Sequence, residues 1–269
     1  MHPVERHAVE ELAGALRELG LSPRTGVLLV HASLRAVGPV AGGSTGLLAA
    51  LRAALGPEGT VVGYTATPEN SDTSRLHAEA TAGLDAAALA AYRAAMPPFD
   101  PLRTPCSPTM GRLSEELRTT PGALRSAHPQ TSFAALGPLA RELLEDHPPE
   151  CHLGERSPVG RLYKAGAQVL MLGAPLTRCT VFHLAEYRLP QVPRKRYGCR
   201  VLGADGRPEW LRFDGVDLDD RHFPRMLETV RPRLTEVREG TVGAARAVLL
   251  PVVPAVDQAT RWLADQLEG

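Results

Sequence analysis

The fold turns on residues 26–65, "GVLLVHASLRAVGPVAGGSTGLLAALRAALGPEGTVVGYT". The opening "GVLLVH" (26–31) is a short apolar run, the composition of a strand buried on both faces. "ASLRAVGPVAGGSTG" (32–46) is rich in glycine and small residues, and predicts a loop that opens a helix after Ser44 through "GLLAALRAAL" (46–55). A second buried strand, "GTVVGYT" (59–65), closes the unit. Strand, loop, helix, strand is the rhythm of an α/β protein.

On the N-terminal side, apolar residues at Val4, Ala8, Leu12, Leu16 and Leu19 predict a helix over 4–20 that stops at Gly20. On the other side, residues 66–109 are rich in Pro, Asp and Ala around one helical segment, "GLDAAALAAYRAAM". Such a long excursion reads as a binding loop or lid. "MGRLSEELRTT" and "LGPLARELLEDH" predict amphipathic helices. "SPVGRLYKAG" predicts another, with Ser157 as N-cap, Pro158 at the first position and Gly166 as the stop. It feeds a strand, "QVLMLG" (168–173). Residues 197–213 predict a hairpin turning at Asp205-Gly206, and an acidic segment, "FDGVDLDD", follows it. A strand over 247–253 and a helix around Trp262 end the chain. No internal repeat or linker divides it, so a single domain over 1–269 is expected.

Formal net charge is zero across 269 residues, which removes the bulk basic field that draws nucleic acid or an anionic membrane surface. All basic residues but Lys164 and Lys195 are arginines, a skew that a GC-rich genome produces without any function. No stretch is long and apolar enough to span a membrane, and the N-terminus has no signal-peptide core. The four cysteines, Cys106, Cys151, Cys179 and Cys199, form no CxxC pair. They read as free thiols in a reducing cytoplasm.

Chemistry concentrates in "RCTVFHLAEYR" (178–188), directly after the 168–173 strand, where ligands gather in open α/β sheets. In a helix, Thr180, His183 and Glu186 step by three along one strip. A carboxylate beside an imidazole orients it and favours its protonated form, and a nearby hydroxyl can donate to an oxyanion. The competing reading makes Thr180 an N-cap and His183 a satisfied core histidine. As half a metal site, H-x-x-E lacks partners. The Gly-rich loop offers helix N–H groups to a pyrophosphate, or merely needs positive φ at Gly42 and Gly43. A hydrolase built on Ser33 or Ser132 with His31 or His183 lacks a G-x-S-x-G elbow.

"VLLVHASLRAVGPVAGGSTGLLAALRAALGPEGTVV", "TPGALRSAHPQTSFAALGP" and "SPVGRLYKAGAQVLMLGAPLTRCTVFHLAEYRLP" closely resemble the aminoglycoside 3-N-acetyltransferase family. "TMGRLSEELR" and the closing "VDQATRWLADQL" extend the likeness over most of the chain, in order. The resemblance implies a three-layer α/β/α fold with a central mixed sheet. It implies transfer of acetyl from acetyl-CoA to the 3-amino group of a 2-deoxystreptamine ring, with no metal. It makes His183 the general base, with Glu186 beside it and Thr180 near the reacting carbonyl. Glu186 then either orients His183 or binds a substrate ammonium. His128, in "RSAHPQTSF", is the competing base, with a structural turn role preferred. The 31–45 loop would hold CoA through Ser33, Leu34, Arg35 and Val37, with Gly42 and Gly43, and Met110 and Ser157 would assist. For a polycationic acceptor, Glu69, Asp72 and Asp217 are candidate contacts, with Asp219 and Asp220 also available, although "DGVDLDD" reads equally as a solvated turn. Ala32-Ser33, "GAPLTRCT" and the 66–100 excursion depart from commoner members, so drug specificity does not transfer. Three functions stay open: aminoglycoside acetylation, the same chemistry on another amine, or a silent CoA- or antibiotic-binding protein.

Overall fold

The computed structural model describes residues 6–268, so Val4 lies outside the described residues. Residues 27–64 form the expected unit. Strand β1 (Val27–Ala32) and strand β2 (Thr60–Tyr64) run parallel, joined through the helix Gly43–Leu55. Strands β3 (Leu124–Arg125) and β4 (Phe133–Leu136), β5 (Gln168–Leu172), β8 (Arg238–Val242) and β9 (Ala245–Pro251) complete a seven-stranded sheet of order β3-β4-β2-β1-β5-β9-β8. β1 and β5 are parallel, whereas β4, β3, β9 and β8 join antiparallel, so the sheet is mixed. The hairpin β6 (Arg194–Leu202) and β7 (Pro208–Val216) stands apart as its own two-stranded sheet.

Successive side chains of a strand point to opposite faces, and here both faces are apolar. Leu28, Val30, Val61, Leu170 and Leu172 pack under the helices Val9–Leu19, Gly43–Leu55 and Arg112–Thr119. Val27, Leu29, Val62, Val169 and Met171 pack under Pro158–Lys164, His183–Tyr187, Phe223–Val230 and Val252–Glu268. Two cores on one sheet make three layers, α/β/α.

Several boundaries differ from the sequence reading. The first helix is Val9–Leu19, and His7 forms a parallel bridge with Val40 ahead of it. The excursion carries two helices, Arg75–Thr81 and Ala86–Ala95, because Ser74 and Asp85 each accept a hydrogen bond from the third backbone N–H beyond them. The hairpin is longer than 197–213, taking in Asp214, Gly215 and Val216 of the acidic segment. Val252 and Val253 open the last helix rather than ending β9. The helix read from "LGPLARELLEDH" shrinks to Ala140–Leu144. No described helix is long and apolar enough to cross a membrane.

Candidate active site

The parallel strands β1 and β5 end side by side, at Ala32 and Leu172. The chain leaves β5 through Gly173, at φ 64°, into the 3-10 turns Leu176–Arg178 and Thr180–Phe182, and then the short helix His183–Tyr187. Val181, Phe182, Leu184 and Ala185 are fully buried and fix this segment against the sheet, so His183 is delivered to a set position. His183 Nδ1 and Glu186 Oε2 lie 2.6 Å apart. The other Glu186 oxygen accepts the backbone N–H of Asp219 at 3.0 Å. Both Glu186 oxygens are thus engaged by the protein, and only 7% of the residue is exposed. An imidazole that donates from Nδ1 keeps Nε2 as its lone-pair nitrogen. Phe223 packs on the ring, 4.8 Å between centroids.

His183 lines a cavity of about 440 Å³ together with Thr180, His31, Tyr64, Met110 and Ser33. The Thr180 hydroxyl hydrogen-bonds His31 Nε2 at 3.2 Å rather than His183. Burial pushes His31 down to about 4, so it is a neutral partner near pH 7, and burial raises the Tyr64 phenol. A second cavity, of about 660 Å³, is lined by Ser33, Leu34, Arg35, Gly111 and Arg112. The two share Ala32 and Ser33. Ser33 also accepts the Ala36 N–H as N-cap of the short helix Leu34–Val37. The structure therefore brings His183, Glu186, Thr180, Ser33, Leu34, Arg35 and Met110 into one region.

Other candidates fall elsewhere. Val37 is wholly buried in the core beneath the helix Val9–Leu19, so its side chain reaches no cleft. Ser157 is also fully buried, donating to Gly154 O and accepting Val159 N–H, which is the N-cap role alone. Gly42 and Gly43 have φ of 76° and 60° and line neither cavity. The turn they open is already faced by a carboxylate, since Ser44 and Thr45 both donate to Glu116. Positive φ explains those glycines, and an anion would meet Glu116. Asp72 is 5% exposed in its side chain and bound to Arg212 at 2.8 Å and Arg93 at 4.0 Å, locking the excursion to the hairpin. Asp217 pairs with Lys195 at 2.6 Å, and Asp219 with Arg221, which holds the Asp219 carboxyl down at about 2. Glu69 is exposed and accepts the Ser107 hydroxyl at 2.5 Å, beside Thr109 on the cavity wall. Of the carboxylates offered as acceptor contacts, Asp72, Asp217, Asp219 and Asp220 are thus paired with arginine or lysine.

His128 is fully buried with both ring nitrogens occupied: Nε2 donates to Pro149 O, and Nδ1 accepts N–H bonds from Gln130 and Thr131. It is the turn histidine. Ser132 is likewise buried and donates to Thr65 O, which removes it as a nucleophile. The residues not singled out from sequence are Arg112, Tyr64, Arg178 and Phe223. Arg112 lay inside the recognised "TMGRLSEELR", and Arg178 opens "RCTVFHLAEYR", without a reason to select either; Tyr64 and Phe223 become neighbours only through the fold.

The architecture defines a class: an α/β/α protein with an imidazole–carboxylate pair at the carboxyl ends of parallel strands, opening on two joined cavities. The aminoglycoside 3-N-acetyltransferase family model matches residues 29–264, and the chain belongs to that family of acyltransferases. The aminoglycoside N(3)-acetyltransferase III of Salmonella sp. is 39% identical over 257 residues, covering 90% of this chain and 86% of that protein. The solved structure of AAC-IIIb in binary complex with CoASH superposes with a TM-score of 0.84 at 32% identity, covering 97% of this chain and 98% of that one. That of AAC-VIa bound to sisomicin gives 0.83 at 32% identity, over 97% and 99%.

Proposed function

We propose that this chain acetylates the 3-amino group of the 2-deoxystreptamine ring of aminoglycosides, using acetyl-CoA, by direct transfer within a ternary complex. The observation that carries the reading is the His183–Glu186 contact of 2.6 Å on the wall of a cavity that joins a second one at Ser33. Two cavities meeting beside one base suit a reaction with two substrates. The 660 Å³ cavity, with Arg35 and Arg112, suits the phosphate-bearing donor, and the relative that holds CoASH supports this. The 440 Å³ cavity suits the acceptor, and the relative that holds sisomicin supports that.

The amine nitrogen attacks the thioester carbonyl carbon while His183 Nε2 takes its proton. Glu186 holds the ring by Nδ1 and favours the imidazolium that forms. Thr180, steadied by His31, stands near the carbonyl oxygen as it becomes an oxyanion. Collapse breaks the C–S bond, and the thiolate leaving group takes up the proton. No step needs a metal.

Thiol release from acetyl-CoA is measured across 2-deoxystreptamine aminoglycosides and unrelated amines, with the acetylated position read by mass spectrometry and NMR. Turnover confined to the aminoglycosides, at the 3-amino group, is expected. Saturable binding of both ligands without thiol release, or preference for an unrelated amine, overturns the reading.

A further inference from the structure

The wall of the acceptor cavity carries a cation that general acetyl transfer does not explain. Arg178 comes from the turn after β5, and Asp220 from the loop after β7, on the facing side. Both line the cavity that holds His183. Their Nη1 and Oδ2 atoms are 3.6 Å apart, with the side chains 72% and 51% exposed. The turn under Arg178 is anchored, because Cys179 beside it is fully buried and Thr180 is tied to His31. The backbone that carries the guanidinium is therefore fixed on the wall opposite Asp220.

Among the residues lining that cavity, Asp220 is the one carboxylate. The neighbouring acids are committed: Asp217 to Lys195 and Asp219 to Arg221. An acceptor that brings an ammonium to this wall finds its counter-charge already held. We propose that Arg178 is a specificity-determining residue for the acceptor, a resident cation that an incoming substrate ammonium must displace from Asp220. The inference rests on the reading of the 440 Å³ cavity as an acceptor site for amines.

The pair is well solvated, and exposed ion pairs of this kind are weak and exchangeable. Arg178 thus sets a threshold and does not close the site. Acceptors with a hydroxyl at this wall enter without exchange, and those with an ammonium there must compete. Removing the cation frees Asp220 and also removes its repulsion of the newcomer.

The test measures calorimetric binding of sisomicin, a multiply charged aminoglycoside, and its KM and kcat, for wild type, Arg178→Ala, Arg178→Lys, Asp220→Asn and the double variant. Arg178→Ala should tighten sisomicin binding and lower its KM about threefold to fivefold, with smaller changes in kcat and in the KM for acetyl-CoA. Arg178→Lys, which keeps the charge, should behave as wild type. In the Asp220→Asn background the Arg178→Ala gain should shrink to less than twofold, and high salt should shrink it in the parent background too. Weaker or unchanged sisomicin binding in Arg178→Ala overturns the inference, as does a main effect on acetyl-CoA. So does absence of sisomicin binding to every variant. Binding that follows the expected pattern without acetyl transfer upholds the role of Arg178 and overturns only the proposed function.

Discussion

An imidazole that is to take a proton from an amine needs a set orientation, one free nitrogen and a partner for the charge it acquires. The three-residue step from His183 to Glu186 meets all of these through one 2.6 Å contact, with the Asp219 N–H holding the carboxylate in turn. His183→Ala should lower kcat by roughly 10²- to 10⁴-fold, the usual contribution of general-base catalysis. The KM values should move little, because the loss belongs to the transition state. Retained turnover in that variant would assign the base elsewhere. Glu186→Gln keeps an acceptor for Nδ1–H but removes the negative charge, so it should lose roughly tenfold or more in kcat while folding normally. Wild-type kcat in Glu186→Gln would reduce the carboxylate to a packing role. A change at His128 should act differently. Both of its nitrogens serve backbone groups, so His128→Ala should cost stability and leave kcat per folded molecule near wild type.

Strands and helices carry the next level of control, and here the small residues matter most. Gly173 follows β5 at φ 64°, and a Cβ added there would come within 2.5 Å of the Ala36 Cβ on the short helix behind Ser33. Gly173→Ala should push that helix outward and raise the KM for acetyl-CoA more than that for the acceptor; the reverse order would place the donor elsewhere. Asp72, with Arg93 and Arg212, joins the 66–109 excursion to the hairpin. Its loss leaves two cations facing each other around a buried position. Asp72→Ala should therefore lower the free energy of unfolding by about 1–3 kcal/mol and speed proteolysis within the excursion. A large change in acceptor KM without a stability change would return Asp72 to the substrate. The central strands were legible in the sequence because β1, β2 and β5 are buried on both faces and need continuous apolar runs. β3, β4 and β8 were not, since runs of two to five residues are too short to show a period and become strands only by pairing with a neighbour already in place. The same division holds in the site. His183 and Glu186 are three residues apart and share a local motif. Arg178 and Asp220 meet across 42 positions of chain, through the hairpin's return path, and no local pattern announces that.

For the molecule as a whole, a buried cluster of three histidines ties stability to pH. His128 packs against His147 and His152 at centroid distances of 4.7 and 4.5 Å, and His152 lies tilted against Tyr197 of the hairpin at 4.3 Å. His147 spends its ring on Ser126 and on the carbonyls of Cys151 and His152, while His152 Nε2 is buried without a partner. Burial pushes His147 down to about 4 and His152 to about 3, and carries His128 well below its usual range. All three are therefore neutral in the folded protein at pH 6, whereas in the unfolded chain they titrate near 6.5. Between the folded and unfolded values the unfolded state binds more protons, so stability rises with pH. The contribution is complete above pH 6.5 and is lost as pH falls through 6.5 toward 3–4. Carboxylates act later: Arg118 helps hold Glu115 at about 2, so its contribution begins to fade only below its ordinary 4.5. The interval from pH 6.5 to 5 thus isolates the histidines. Urea unfolding across that interval should show stability falling by up to about 1.4 kcal/mol per pH unit for each buried histidine. His152→Phe, which keeps a ring beside Tyr197 and removes the orphaned nitrogen, should make the fall shallower without moving the pH profile of kcat. A flat stability profile from pH 6.5 to 5 would mean the cluster accepts protons while folded, and the packing described for these three rings would be wrong.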